Sequence, residues 1–467
     1  MAHEPSAGLG PDERSSVAWV ARGGAWALGG KFIAAISAMA VNALLARYLS
    51  PDDLGAYFVA VSLVTIGATI GVLGVDAAAV RLIASRYADS DRADRRAYLA
   101  LVLIVAVAGA CVAAFAYRSL SPSIAHVFGT GALVHVSVAL AIWIVLAALQ
   151  RVMTEVFRGY RDIRMATLLA GVGTKGGGIL VGLLMPVGVI ALALADRVSF
   201  AGVVFVAAGA SGIVVLAGFA RLVAREPRLW QSFRRIGWHR VRVLSGISLP
   251  ILGSSVLVGL RMQSDIWILG TFGEPQLVAQ YGAALRLVTL VVTPLLVLNA
   301  VVPPLVSRFH RGGEMRRLET TLRAAATVVS VPSLVALVVL AWWGGPLLGL
   351  VYGDFYRGAA SVLLILCVGQ AVNVFAGSCG MTLIYTDYQS AYMVITLVST
   401  LVVVLLGIAL VPVHGAVGMA VASSLGLIVQ NGLAVAVVRR GLGIWTHLWL
   451  TPQGLRQAVA LIRTRGQ

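Results

Sequence analysis

Charge is scarce in this sequence. Asp, Glu, Lys and Arg make up 12% of its 467 residues, hydrophobic residues 59%, and the mean hydropathy is +0.92. A water-soluble domain carries about a quarter charged residues, so that class is excluded. Cysteine is nearly missing. Cys111, Cys367 and Cys379 lie scattered in apolar runs, with neither metal spacing nor the pattern of a disulfide framework, and are assigned to packing. Short alternating strands are lacking, which excludes an outer-membrane barrel. No glycine-rich loop leads into a lysine, so no ATPase is built in. The seven histidines stand isolated, His126 and His135 in a short loop and at its edge. The expectation is a non-enzyme, with no catalytic set, no metal and no cofactor.

What is present is a series of apolar runs of about 20 residues, enough to cross about 30 Å of hydrocarbon as helix. Backbone groups inside lipid must bond within their own segment, so these runs are read as helices. The spans are placed at 23–46, 55–79, 98–117, 132–152, 165–186, 198–220, 246–270, 279–304, 324–345, 359–384, 391–412 and 416–438. The fold class is therefore all-α, a polytopic membrane protein of 12 transmembrane helices. The polar opening "MAHEPSAGLGPDERSS" lacks the basic start and short apolar core of a cleavable signal, and is read as a cytoplasmic tail, 1–22.

The excess of base, 36 Lys and Arg against 19 Asp and Glu, is distributed unevenly. Lys31, Lys175, Arg261 and Arg286 lie well within spans, and Arg47, Arg118, Arg197 and Arg357 in odd-numbered loops or at their edges. The other 28 occupy the tails and the even-numbered loops with their edges. Basic loops stay in the cytoplasm during insertion, so both termini are expected inside a bacterial cytoplasmic membrane. Arginines beside spans meet anionic lipid headgroups, which removes nucleic acid as a partner. The basic linker 221–245 carries Leu229, Trp230, Phe233, Ile236 and Val241 at helical spacing. It is expected to lie in the interface as an amphipathic helix, as is the tail 439–467.

The chain also repeats itself. "RYLSPDDLGAYFVAVSLVT" begins at Arg47 and "TFGEPQLVAQYGAALRLVT" at Thr271; both contain Tyr-x-x-Ala-x-x-Leu-Val-Thr, from Tyr57 and from Tyr281, 224 residues apart. Each tyrosine opens the second span of its half. The division is then an N-lobe, 23–220, and a C-lobe, 246–438, as two six-helix lobes of like orientation around a central cavity, a parallel repeat typical of transporters.

Polar side chains inside the bilayer mark inward faces. Ser62, Thr65 and Thr69 share one face of span 2, and Arg286, Thr289 and Thr293 take the same spacing on span 8. These define an expected polar seam, against which stands bonding of the hydroxyls to their own helix. Arg286, in mid-run, needs an anion, water or a carboxylate. Lys31, with Asn42 on nearly the same face of span 1, is the second cation, and Arg261 on span 7 the third. Arg261 and Asp265 are one turn apart, the spacing of an internal ion pair. Lys175 lies in "GVGTKGGG", whose glycines permit close helix contact or a local break. Glu155 and Arg158 read as interfacial structure.

Two stretches resemble the polysaccharide transporter branch of the multidrug/oligosaccharidyl-lipid/polysaccharide exporter superfamily, which includes O-antigen and exopolysaccharide flippases. They are "ALLARYLSPDDLGAYFVAVSLV", matching at Ala46, Leu49, Pro51, Gly55 and Tyr57, and "DIWILGTFGEPQLVAQYGAALRLV", matching at Asp265, Tyr281 and Ala284. The resemblance implies two lobes in a V and alternating access. Its cargo would be oligosaccharide linked to undecaprenyl pyrophosphate, moved from the inner to the outer leaflet. It also implies polymerase and chain-length partners. Lys31, Arg261 and Arg286 suit the role of cavity cations. A carboxylate, Asp265 first and Asp76 second, suits proton or sodium coupling. The rivals are a cation-coupled drug exporter of the same superfamily, a major-facilitator transporter, and a membrane glycosyltransferase or ligase. Against the second, "YADSDRADRR" carries Asp91, Arg92, Arg95 and Arg96 but has Tyr87 and Asp94 where that signature has glycines; it is read as a solvated charge cluster. Against the third, the odd loops are short.

Overall fold

The computed structural model describes residues 29–30, 33–88, 92–171 and 178–449. Lys31, Lys175 and most of the C-terminal tail lie outside the described residues. Secondary structure among the described residues is helical, with turns between.

The first lobe contains α1 (Ile33–Tyr48), α2 (Pro51–Gly71), α3 (Val75–Ala88), α4 (Arg92–Val127), the short α5 (Ala132–His135), α6 (Ser137–Gly159), α7 (Ile163–Leu169), α8 (Ile179–Leu194) and α9 (Phe200–Arg225). The second contains α10 (Trp238–Phe272), α11 (Pro275–Arg311), α12 (Met315–Tyr352), α13 (Ala360–Ala376), α14 (Cys379–Ile384) and α15 (Gln389–Leu442). Local signals set the boundaries. Ser50 accepts a hydrogen bond from the Asp53 amide, Pro51 fills the first helical position, and Asp52 and Asp53 face the positive end of α2,.

Among the described residues nine helices are long and apolar enough to cross a membrane, and α1 and α8 are shorter apolar helices. The longest, α15, is two spans. Gly415 leaves helical geometry at φ 53°, ψ −132°, and beyond it the chain turns back. Gly418 then faces Leu410, Gly407 faces Met419 and Gly426 faces Val403, the antiparallel register of a hairpin.

Besides the corner at Val136 between α5 and α6, three expected spans are interrupted. The second breaks at Leu73 and Gly74, both at positive φ, between α2 and α3; there the turn sits directly on the α10 backbone at Ser248. The fifth breaks after α7, where Gln150 donates to the carbonyls of Leu169 and Ala170. Gly171 and Gly178 flank that break in close contact with Gln150 and Ala170. The tenth breaks at Gly377, and Thr446 and Leu448 donate to the carbonyls of Ala376 and Phe375. Each break exposes helix-end carbonyls that lipid could not satisfy, and each is answered by protein donors or close backbone packing.

The linker is not an amphipathic α-helix. A 3-10 turn over Leu229–Arg235 precedes α10, with Leu229 buried, and Trp230 stacked on Phe233 at 5.6 Å. Nor is the charged first turn of α4 simply solvated. Arg95 and Arg96 both bind Glu226, and Tyr160 donates to the same carboxylate at 3.0 Å. Arg240 binds Asp94 at 2.9 Å. Burial alone would raise the Glu226 pKa, but hydrogen bonds from Arg96, Arg95 and Tyr160 outweigh it and hold the carboxyl below its ordinary value. Opposite charges from distant segments find each other here because partly desolvated arginines require partners.

The bundle thus has a basic end, where α4 and α10 begin, and a short-loop end, where α2 and α11 begin. The lobes are tied together at the short-loop end. Arg47 donates to the Val351 and Leu350 carbonyls at the end of α12. Gln276 donates to Asp52 at 3.3 Å. Gly55 admits the Pro275 carbonyl where any Cβ would collide. Farther along the seam, Trp267 of α10 donates to Ser62 at 2.8 Å.

Candidate functional site

A cavity of about 280 Å³ lies where α1, α2, α6, α8 and α9 meet the inner face of α11. Its polar lining comes from Asn42, Tyr57, Trp143, Ser211 and Arg286. Helical periodicity places these groups: Asn42 follows Ala38 by one turn and donates to its carbonyl at 2.5 Å, while Trp143 donates across to Ser211 at 3.1 Å. The bond between Trp143 and Ser211 joins α6 to α9 and satisfies both polar atoms within an apolar wall.

Arg286 reaches the cavity from the other lobe. Its guanidinium carbon stands 3.7 Å from the centroid of the Phe58 ring, and Nη1 donates to the Gly282 carbonyl one turn earlier at 3.2 Å. Among the described residues no carboxylate forms an ion pair with Arg286, and no carboxylate lines the cavity. A desolvated cation without a counter-charge is costly. The Phe58 ring offsets a part of that, about 2 kcal/mol for a desolvated cation–π contact. A guanidinium presents five donors in a planar fork that matches phosphate or carboxylate oxygens. With one donor used on Gly282, the rest are free to meet an anion in the cavity.

The other sequence candidates lie elsewhere. Arg261 and Asp265 do not form the one-turn ion pair. Asp265 instead takes hydrogen bonds from Tyr281 at 2.6 Å and Ser423 at 3.0 Å, inside the second lobe. Arg261 lies near Tyr281 and Tyr392 in the same lobe, away from the cavity lining. Asp76 is bound to Arg151 at 3.0 Å, and Arg151 also donates to Thr69 at 2.7 Å. Ser62, Thr65, Thr69, Thr289 and Thr293 each donate to a carbonyl three or four residues earlier in their own helix. From α2 the cavity is lined by Tyr57 and Val61 rather than by the seam. A hydroxyl on a membrane helix satisfies itself locally, so its position does not by itself indicate water. Lys31 lies outside the described residues. Glu155 and Arg158 pair with each other at the end of α6.

Sequence reasoning missed Tyr57, Trp143, Ser211 and Arg151. Tyr57 had a signal, since it anchors the repeat. Its counterpart Tyr281 binds Asp265, whereas Tyr57 faces the cavity. Arg151 had none in the local sequence, because its partner Asp76 is 75 residues away.

Residues 20–310 match the family described as Polysaccharide biosynthesis protein, and residues 250–409 match the MatE family. No curated protein sequence matches the chain. The structure is similar to an inward-facing multidrug resistance MATE family transporter of the MOP superfamily, with TM-score 0.71 and 15% identity over 88% of this chain and 94% of that one. It is similar to the lipid II flippase MurJ in an inward closed conformation, with TM-score 0.67 and 14% identity over 93% and 90%. A third likeness is to a MOP superfamily transporter from Pyrococcus furiosus described as having a binding pocket of reverse polarity (TM-score 0.60, 16% identity over 91% and 95%). At these identities the structures speak for the fold, and the family match, over more than half the chain, speaks for kinship. This all-helical, multi-pass membrane chain accordingly belongs to the polysaccharide biosynthesis protein family, and its fold is like that of MOP superfamily transporters.

Proposed function

We propose that the protein is a flippase. It moves oligosaccharide or polysaccharide repeat units, carried on undecaprenyl pyrophosphate, from the inner to the outer leaflet of a bacterial cytoplasmic membrane. The observation that carries this reading is Arg286: a cation without a carboxylate partner among the described residues, at the edge of an interior cavity that no acid lines. A cation exporter would need the opposite polarity there. A pyrophosphate suits the arginine fork, and the sugars require the polar route, since each unsatisfied hydroxyl costs about 2–7 kcal/mol in hydrocarbon. The family match and the likeness to a lipid II flippase support the same cargo class.

In this reading the basic end faces the cytoplasm, with both termini, and the contacts at the short-loop end close the outward path. Lys31 serves as a further cation along the route, and rocking of the lobes exposes Arg286 to each side in turn. Asp265 couples the movement to a proton or sodium ion. Polymerase and chain-length proteins receive the product outside.

The decisive experiment deletes the gene and measures the leaflet distribution of lipid-linked glycan. Flipping predicts accumulation on the cytoplasmic leaflet. An unchanged distribution overturns it. The MatE match over the second lobe favours a cation-coupled exporter as the second reading; that would leave the glycan unchanged and raise susceptibility to cationic drugs.

A further inference from the structure

A second cavity, about 530 Å³, opens between the lobes at the short-loop end. The first lobe contributes Arg47, and the second contributes Tyr352, Asp354, Phe355 and Tyr356. The sequence "LVYGDFY" builds the second wall. Gly353 ends α12 at φ 110°, ψ 164°, a conformation that side chains rarely adopt,. The chain then enters a 3-10 turn, Asp354–Ala359. That corner gathers three aromatic rings: Tyr352 and Tyr356 at 5.8 Å, and Phe355 edge-on to Tyr356 at 5.2 Å.

Two of these residues are anomalous as mere packing. Tyr352 and Tyr356 are only 1% and 2% exposed, yet neither hydroxyl has a hydrogen-bond partner among the described residues. An unsatisfied buried hydroxyl costs about 1–3 kcal/mol, and tyrosine is usually buried with its oxygen paired. Phenylalanine would supply the same ring without that cost. Both residues belong to the cavity wall beside Arg47, with their two unpartnered hydroxyls closed off behind it in this conformation.

We propose that this cavity is an exit-side subsite for a sugar ring of the transported glycan, a reading that rests on the flippase function above. The chemistry selects a sugar over its competitors. A polyprenyl or acyl chain would satisfy the rings but neither phenol. A bare phosphate could meet Arg47 but would use none of the aromatic surface, and the Asp354 carboxylate at the rim is paired with Arg357 at 3.0 Å. A pyranose offers an apolar C–H face to Phe355 and, as the Arg47 clasp releases, hydroxyls to the two phenols behind the wall, and about 530 Å³ is in the range of small-molecule sites,. Tyr352 also lies close enough to Arg286 to feel its charge. The pyrophosphate at Arg286 and a sugar in the outer pocket are therefore two adjoining stations, with Tyr352 between. Arg47 belongs to both the pocket and the clasp on the α12 carbonyls, so a sugar bound there meets the contact that must release.

The test uses the full chain in nanodiscs and the cell's own glycan, tritium-labelled, in two forms: still on polyprenyl pyrophosphate, and released by mild acid as free oligosaccharide. Wild-type protein is expected to bind both. Tyr356→Phe and Phe355→Ala should each weaken the free oligosaccharide on the order of tenfold, the loss of one hydrogen bond or one ring face. In a Cys111→Ser chain, Phe355→Cys should react with maleimide more slowly when free oligosaccharide is present. If the lipid-linked form binds in an Arg286-dependent manner while free oligosaccharide neither binds nor protects, the subsite is overturned and the flippase reading stands. Binding of free oligosaccharide that is indifferent to both substitutions also overturns the subsite. Binding of neither form by wild-type protein overturns both proposals.

Discussion

Phe58 packs against Gly282, its own counterpart 224 residues later in the chain. The pairing of Asp52 with Gln276 spans the same 224 residues. The two stretches that carry the shared Tyr-x-x-Ala-x-x-Leu-Val-Thr pattern thus face each other, α2 packed on α11. Identical residues would fail there: two phenylalanines would collide, and two glycines would leave a void. One of each fills the space and leaves the ring under Arg286.

That contact is tight enough to test. A Cβ on Gly282 collides with the Phe58 ring, and overpacking of this kind costs about 1–3 kcal/mol. Gly282→Ala should lower both transport and thermal stability, and adding Phe58→Ala should recover stability by restoring room. Melting curves of the single and double variants in one detergent would show a non-additive pair; additive losses would place the two residues out of contact.

The clasp at the short-loop end can be fixed covalently. With Cys111, Cys367 and Cys379 replaced, Asp52→Cys together with Gln276→Cys should cross-link under mild oxidant. Export should stop when the link forms and resume on reduction. Undiminished export by a fully cross-linked sample would show that this end never has to part.

Arg286→Ala should abolish glycan export while membrane insertion stays normal. Binding of lipid-linked pyrophosphate should fall by roughly ten- to a hundredfold, the worth of a charged hydrogen bond. Arg286→Lys should recover only part, since an ammonium retains the charge but not the planar fork. Normal export by a stably expressed Arg286→Ala chain would remove the residue from the mechanism.

Glu226 predicts a pH-dependent stability. Its carboxyl is held below the ordinary value of 4.5 by Arg96, Arg95 and Tyr160 against the opposing effect of burial. A depressed carboxyl contributes its full stabilisation above the unfolded value and loses it as pH falls through the folded one. At neutral pH, Glu226→Gln should cost about 3–5 kcal/mol because it removes the carboxylate that Arg95 and Arg96 share,. The gap between wild type and Glu226→Gln in melting temperature should narrow only below about pH 4.5. A constant gap down to pH 3 would contradict an ionic clamp.

Asp265 is the coupling proposal. In proteoliposomes, Asp265→Asn should leave the hydrogen-bonding partners Tyr281 and Ser423 in place while flipping no longer responds to a proton or sodium gradient. A gradient response equal to that of wild type would assign coupling elsewhere.

Much of this architecture is written in local sequence. Runs of apolar residues specify helices because lipid leaves the backbone no alternative, and Arg286 stands out because an ionised group in mid-run is rare. Interruptions are harder to see. Nothing around Leu73 and Gly74 states that the chain will turn onto α10, and the donors that answer the Gly377 break come from residues 446 and 448. The ion pairs are similarly hidden, Arg95 meeting Glu226 131 residues later. Hydroxyls mislead for a different reason: Ser62 and Thr289 carry the polarity that marks a wet face, but their own helix carbonyls are the nearest acceptors.

The α10 helix is held by both lobes. Its first turns belong to the N-terminal lobe through Arg240 and Asp94, and through the backbone of Ser248 against Gly74. Its last third is shared, Asp265 binding Tyr281 and Ser423 of the C-terminal lobe while Trp267 reaches Ser62 of α2. Within the helix lies Pro250, which has no amide to give the preceding turn,. A helix gripped by both lobes along its length ties the two bundles into one body at their seam, with a single ladder bond missing beside the Gly74 turn.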